Sequence, residues 1–93
     1  MKEDHESTKK SILNRAPRYT EKQGQYLALI YYYTKINQHP PAEADMQRFF
    51  EVSAPSVHRM LIDLEKKNFI ARTPRQARSI RVLLPSRQLP ELL

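Results

Sequence analysis

The sequence contains no cysteine and a single glycine, Gly24. Without cysteine it has no disulfide, no thiolate metal site and no cysteine nucleophile. One glycine cannot build a glycine-rich loop that cradles phosphates. Apolar runs are only a few residues long, too short to span a bilayer. The N-terminal decapeptide MKEDHESTKK mixes acids with bases and has no apolar stretch, so it is not expected to be a secretory signal. The expected address is a bacterial-type cytoplasm, at the nucleoid. His5, His39 and His58 are far apart and show no metal-ligand spacing such as HxxxH. Asp63 and Glu65 fall on different sides of one predicted helix and make no acid–base pair. No metal, no cofactor and no enzymatic activity are therefore expected. At 93 residues and 11.0 kDa, a chain buries only about 60% of its unfolded surface, which suits one small domain without a deep cleft.

Positive charge is plentiful, and it is localised. Sixteen Lys and Arg against ten Asp and Glu give a net +6. Residues 1–53 are nearly balanced, with eight bases and seven acids, whereas residues 54–87 carry eight bases and only two acids, Asp63 and Glu65. An excess confined to one segment attracts a polyanion, of which nucleic acid is the leading candidate, the plain alternative being a solvated basic face.

Residues 1–18 are polar, with apolar content almost confined to Ile12 and Leu13, and are expected to form a flexible tail closed by Pro17. Glu3, Asp4 and Glu6 weaken any phosphate attraction there and favour a solvated tail over a DNA-touching arm. The first helix is predicted to start at an N-cap, Thr20, with Gln23 in capping-box position. Its buried face is expected to comprise Tyr26, Leu27, Ile30, Tyr33 and Ile36. Gly24 inside it costs about 1 kcal/mol against Ala and marks a close helix contact. Tyr31, Tyr32 and Tyr33 point 100° apart in a helix, so they are read as core and rim rather than as a base-stacking platform. The helix ends near Asn37, before the breaker His39-Pro40-Pro41. A second helix is predicted over residues 43–50, with Met46, Phe49 and Phe50 as its apolar face and Glu43 and Asp45 suited to its N-terminal dipole. After the turn Glu51-Val52-Ser53, Ser53 caps a third helix with Pro55 in its first turn. Val57, Met60, Leu61 and Leu64 form that helix's buried stripe, and Asn68 supplies a left-handed stop after Lys67. Residues 69–72 and 78–83 read as two strands joined by the five-residue turn 73–77. Residues 85–93 are expected to be a short, frayed C-terminal tail.

Helix, helix, turn, helix and hairpin make a mainly α domain with a small β-hairpin, the layout of a winged helix-turn-helix, over residues 19–84. In that layout the third helix enters the major groove. With its apolar stripe turned inward, the outward face shows Pro55, Arg59, Ile62 and Lys66, flanked by Ser56, His58 and Asp63. Ser56, His58 and Arg59 are the candidate base readers, Arg59 foremost, since a guanidinium matches guanine O6 and N7 bidentately. An ordinary surface arginine is the alternative for Arg59 and a polar flank for His58; Ile62 suits either a thymine methyl or the domain rim. No acid lies between residues 66 and 90, a stretch that holds Arg72, Arg75, Arg78 and Arg81. Lys66, Arg72, Arg75 and Arg78 are the candidate backbone contacts, with Arg75 and Arg78 flanking the wing tip. For Arg72 and Arg81, pairing with Glu65 is the alternative.

From Tyr19 to Leu83 the chain resembles LexA-type winged helix-turn-helix DNA-binding domains, those of the SOS-response repressor family. The resemblance rests on Tyr19-Thr20-Glu21-Lys22-Gln23, His39-Pro40-Pro41, Ser53-Ala54-Pro55-Ser56-Val57-His58, Leu64-Glu65-Lys66-Lys67-Asn68-Phe69-Ile70 and Arg78-Ser79-Ile80-Arg81-Val82. It implies sequence-specific binding of double-stranded DNA and a role in transcription regulation. The family usually has Ala at Gln47 and Gly at Glu51, so Glu51 is expected to sit in the turn under some strain. The third helix starts one residue shorter, so its contacts are not assumed to match the usual operator. The family's self-cleaving Ser-Lys peptidase domain, which also dimerises the protein, is not expected in these residues. A second copy or another protein is thus a candidate partner. Two further readings stay open: a protein-interaction winged helix using Tyr31, Tyr32, Ile62 and the C-terminal leucines, and a structured-RNA binder.

Overall fold

The computed structural model describes residues 18–93. The flexible tail expected over residues 1–18, with Pro17 and His5, therefore lies outside the described residues but for Arg18.

Helix α1 (Glu21–Asn37) begins where its capping chemistry places it. Gln23 N–H donates to Thr20 Oγ1 (3.1 Å) and Thr20 N–H donates to Gln23 Oε1 (3.0 Å), so two orphan donors satisfy each other's side chains. Residues 26–30 are all buried, which one amphipathic stripe cannot explain. The helix is central: α2 and α3 share its core cluster, β2 packs on it, and the C-terminal segment lies along its first turns. Ile36, expected in the buried face, is instead 76% exposed. It sits in the last turn, beyond the core and just before Gln38 reverses the chain in a left-handed conformation (φ 68°).

Helix α2 (Glu43–Phe50) starts with Asp45, its third residue, accepting from Ala42 N–H (2.8 Å). Met46 is fully buried, and Phe50 stacks on Tyr26 with ring centres 4.2 Å apart. Phe49 departs from expectation at 47% exposure. Adjacent helical residues point about 100° apart, so only one of the two phenylalanines can face α1. Glu51 ends the helix in the left-handed region (φ 56°, ψ 50°), the conformation expected of a glycine at this turn. Helix α3 (Ala54–Lys66) then begins with Ser53 Oγ accepting from Ser56 N–H. Val57, Leu61 and Leu64 are fully buried and Met60 is half-buried. Asn68 is the left-handed stop (φ 63°), and Phe69 N–H bonds back to Leu64 O.

The hairpin is shorter than expected. Only β1 (Ile70–Ala71) and β2 (Arg81–Val82) pair, antiparallel, with Ile70 opposite Val82 and Ala71 opposite Arg81. Arg75 (φ 64°) and Arg78 (φ 55°) leave strand geometry, so the predicted strand residues 78–80 belong to the loop. Ser79 holds that loop. Its hydroxyl accepts from Thr73 N–H (2.9 Å), with the carbonyls of Gln76 (2.9 Å) and Thr73 (3.2 Å) within reach of its own hydrogen.

The C-terminal residues, expected to fray, dock instead. After a 3₁₀ turn at Ser86–Gln88, Tyr19 Oη donates to Gln88 O, Gln25 Nε2 donates to Glu91 O (2.9 Å), and Leu93 N–H donates to Gln25 Oε1 (2.8 Å). Leu84, Leu89 and Leu92 pack against the core. Gly24 makes this possible: a Cβ there would lie 2.8 Å from the Tyr19 ring and 3.0 Å from Pro90. The close contact expected of Gly24 is thus with the C-terminal segment. Three helices and a two-stranded wing make this, among the described residues, a winged helix-turn-helix.

Candidate nucleic-acid interface

Helix α3 presents its outer face because its inner stripe is consumed by the core. Pro55, Ser56, His58, Arg59, Asp63 and Lys66 are exposed, and Ile62 is half-buried at the rim. Ser56 Oγ, at 3.1 Å, accepts a hydrogen bond from Ser53 Oγ, so the cap also orients this candidate base reader. His58 Nδ1 stands 3.9 Å from Glu43 Oε2, an ion-pair distance rather than a hydrogen bond. Among the described residues Arg59 and Lys66 make no ion pair. Their charges are open to a ligand.

The wing arginines divide into two kinds. Arg75 is exposed and makes no ion pair among the described residues. Arg72 is only 19% exposed at its side chain, and its guanidinium bridges Glu65 Oε1 (3.2 Å) and Glu43 Oε2 (3.3 Å). Arg78 turns inward rather than flanking a free tip: its Nη1 lies 3.1 Å from Asp45 Oδ2, 3.2 Å from Pro40 O, 3.3 Å from His39 Nδ1 and 3.4 Å from Tyr33 Oη. Arg81 is exposed on β2. Lys67 reaches back to Gln23 Oε1 (3.2 Å). Between His58 and Glu65 of α3 and the wing loop lies an open depression of about 460 Å³, with Glu43 and Arg72 in its wall and Arg75 on its rim.

Asp45 ties the wing, through Arg78, to the helical body. Its carboxyl is held below the usual aspartate value, first by the Ala42 N–H, then by the charges of Arg78 and Arg48 and the Tyr33 hydroxyl, with partial desolvation opposing. The roles of Asp45 and Glu43 are not visible in sequence, where they registered only as acids at a helix start. Their wing arginine partners lie 33 and 29 positions away, and no local period links them.

Among the described residues no group of His, Asp and Glu is arranged to hold a metal ion, and no helix is long and apolar enough to cross a membrane.

Residues 17–79 match the family model described as "LexA DNA binding domain". The chain is also similar to the LexA repressor of Thermosipho melanesiensis (strain DSM 12029 / CIP 104789 / BI429), with 38% identity over 61 residues. That alignment takes in 66% of this chain and 31% of the repressor, so the chain spans about a third of the curated relative it matches.

Proposed function

The chain belongs to the family of LexA DNA-binding domains, and from that premise we infer that it binds a specific duplex DNA sequence as the reading module of a transcriptional regulator. In this reading the first turns of α3 lie in the major groove. Ser56, His58 and Arg59 meet base edges there, with Arg59 aimed at a guanine. Arg75 and Lys66 meet phosphates on either side, and Arg72 lines the wall between them. The observation that carries the proposal is the free outer face of α3. Its buried stripe is complete and its cap is satisfied, yet Arg59 projects without an internal carboxylate partner among the described residues.

The Thermosipho relative's name supports repression as the sense of regulation, and a nucleoid address would follow from DNA binding. Pairing of two copies is the natural way to strengthen binding, because a single small module buries only about 600–1,000 Å² of protein surface on DNA. The test is selection from a randomised duplex pool at near-physiological salt. An enriched motif is expected, and two-fold symmetry in it would report a pair of copies. Retention of duplexes without enrichment would overturn base reading, and preference for duplex RNA of equal length would overturn the choice of nucleic acid. Single substitutions separate the roles. Arg59→Ala should lose about 1–3 kcal/mol of discrimination at one base pair. Arg75→Ala should weaken all duplexes alike and reduce the salt slope by about 0.9.

A further inference from the structure

The wing has little structure of its own: two residues pair on each side, and the loop beyond them spans residues 72–80. Yet its tip must stand at a fixed distance from α3 for both to engage one duplex. Arg78 spans the gap between the wing and the helical body. Its Nη1 forms an ion pair with Asp45 Oδ2 on α2 and donates to Pro40 O in the α1–α2 loop. Tyr33 Oη, on α1, adds its own hydrogen to Asp45 Oδ2 at 3.3 Å. The Asp45 side chain is 14% exposed and also caps α2 through Ala42 N–H and binds Arg48. Arg78 commits Nη1 to Asp45 Oδ2 and Pro40 O, so its charge is already matched by Asp45 before any phosphate arrives, although its side chain is 41% exposed.

We propose that Arg78 is a positioning residue, a latch that ties the wing to α2 and the α1–α2 loop through Asp45 and so sets where Arg75 meets the DNA. This rests on the DNA-binding reading above for its consequence but not for its mechanism. The wing is held by the latch with or without DNA.

Three variants and one cycle test it. Asp45→Asn keeps an acceptor for Ala42 N–H while discharging the latch; Arg78→Ala removes the other half. In the free protein, amide exchange at Thr73 and Gln76 should accelerate in both variants while the amides of α3 stay protected. On the selected duplex, Asp45→Asn should weaken binding roughly five- to tenfold, although it removes a negative charge. The loss caused by Arg75→Ala should largely vanish when it is combined with Arg78→Ala, because a displaced tip has no contact left to lose. Arg78→Lys should recover part of the loss. Tighter or unchanged binding by Asp45→Asn, with the Arg75→Ala penalty intact in the Arg78→Ala background, would overturn the latch and return Arg78 to the phosphate contacts. If the unaltered chain retains no duplex, the DNA reading falls, and exchange in the free protein still decides the latch. Unchanged wing exchange in both variants would sink it.

Discussion

Helix α3 and the wing flank the same surface, but they are held by different means. Helix α3 is specified within itself. Ser53 caps it, Asn68 stops it, and Val57, Leu61 and Leu64 recur at helical spacing to bury one face. The wing borrows its shape. Two paired residues per strand cannot fix a nine-residue loop, so side chains complete it: Ser79 from within, and from elsewhere Asp45 through Arg78 and Glu43 with Glu65 through Arg72. Local apolar periodicity yields a stiff element whose outer face is free. Long-range polar ties yield a placed element, at the expense of half its arginines.

The strongest way to break the contrast is to remove what the two regions share. Leu61 is fully buried in α3, in the same cluster as Ile70 and Ile80 at the base of the wing. Leu61→Ala should cost about 2–5 kcal/mol. A domain of this size has only roughly 5–14 kcal/mol in total, so thermal unfolding should show a large drop and loss of both regions together. A wing that melts before α3 in this variant would mean that the cluster is not one core.

The same contrast explains what the sequence revealed. All three helices, their caps at Thr20 and Ser53 and the stop at Asn68 were legible, because each depends on residues within four positions of itself. The outward face of α3 followed from the stripe by subtraction. Ile36 and Phe49 misled because period alone does not say how far the core extends. The paired strands are shorter than the alternation in residues 78–83 implies, because the left-handed Arg78 interrupts the pairing. The inward turn of Arg78 and the double pairing of Arg72 are set by tertiary placement, which charge counting cannot see. The docking of residues 86–93 had one trace, the lone glycine inside α1, read as a close contact without its partner.

Smaller changes should sharpen the contrast by striking one region at a time. Ser53→Ala removes the α3 cap and should cost about 1 kcal/mol, lowering the melting temperature by about 4–8 °C for a domain of this size. If Ser56 reads bases as proposed, the variant should also weaken discrimination at one base pair while leaving the salt slope unchanged. A lowered slope would show that the cap supports the wing as well. Ser79→Ala should do the reverse. It deletes the hydroxyl that accepts from Thr73 N–H, so about 1 kcal/mol or less of local order is lost. Exchange at Thr73 should rise with little change in global unfolding, and non-specific duplexes should suffer as much as the selected one.

The smallest effect expected is that of acid, and it separates the two regions by their chemistry. The α3 cap is a hydroxyl and does not titrate, whereas the latch depends on an ionised Asp45. Because the Asp45 pKa is lowered on folding, the stability it contributes is complete above the unfolded value of about 3.9 and is lost as pH falls through the lower folded value. Arg78, Arg48 and Tyr33 face Asp45 directly, and His39 stands beside Arg78. Comparison with Asp45→Asn isolates this carboxylate from the chain's other acids, Glu43 and Glu65 among them. The stability gap between the unaltered chain and the variant should be constant from pH 7 to about 5 and close below about pH 4, with the amides of α3 as protected as before relative to global unfolding. A gap that persists to the lowest pH would mean that shape, not charge, holds Arg78 in place, and the wing would then be as self-contained as the helix beside it.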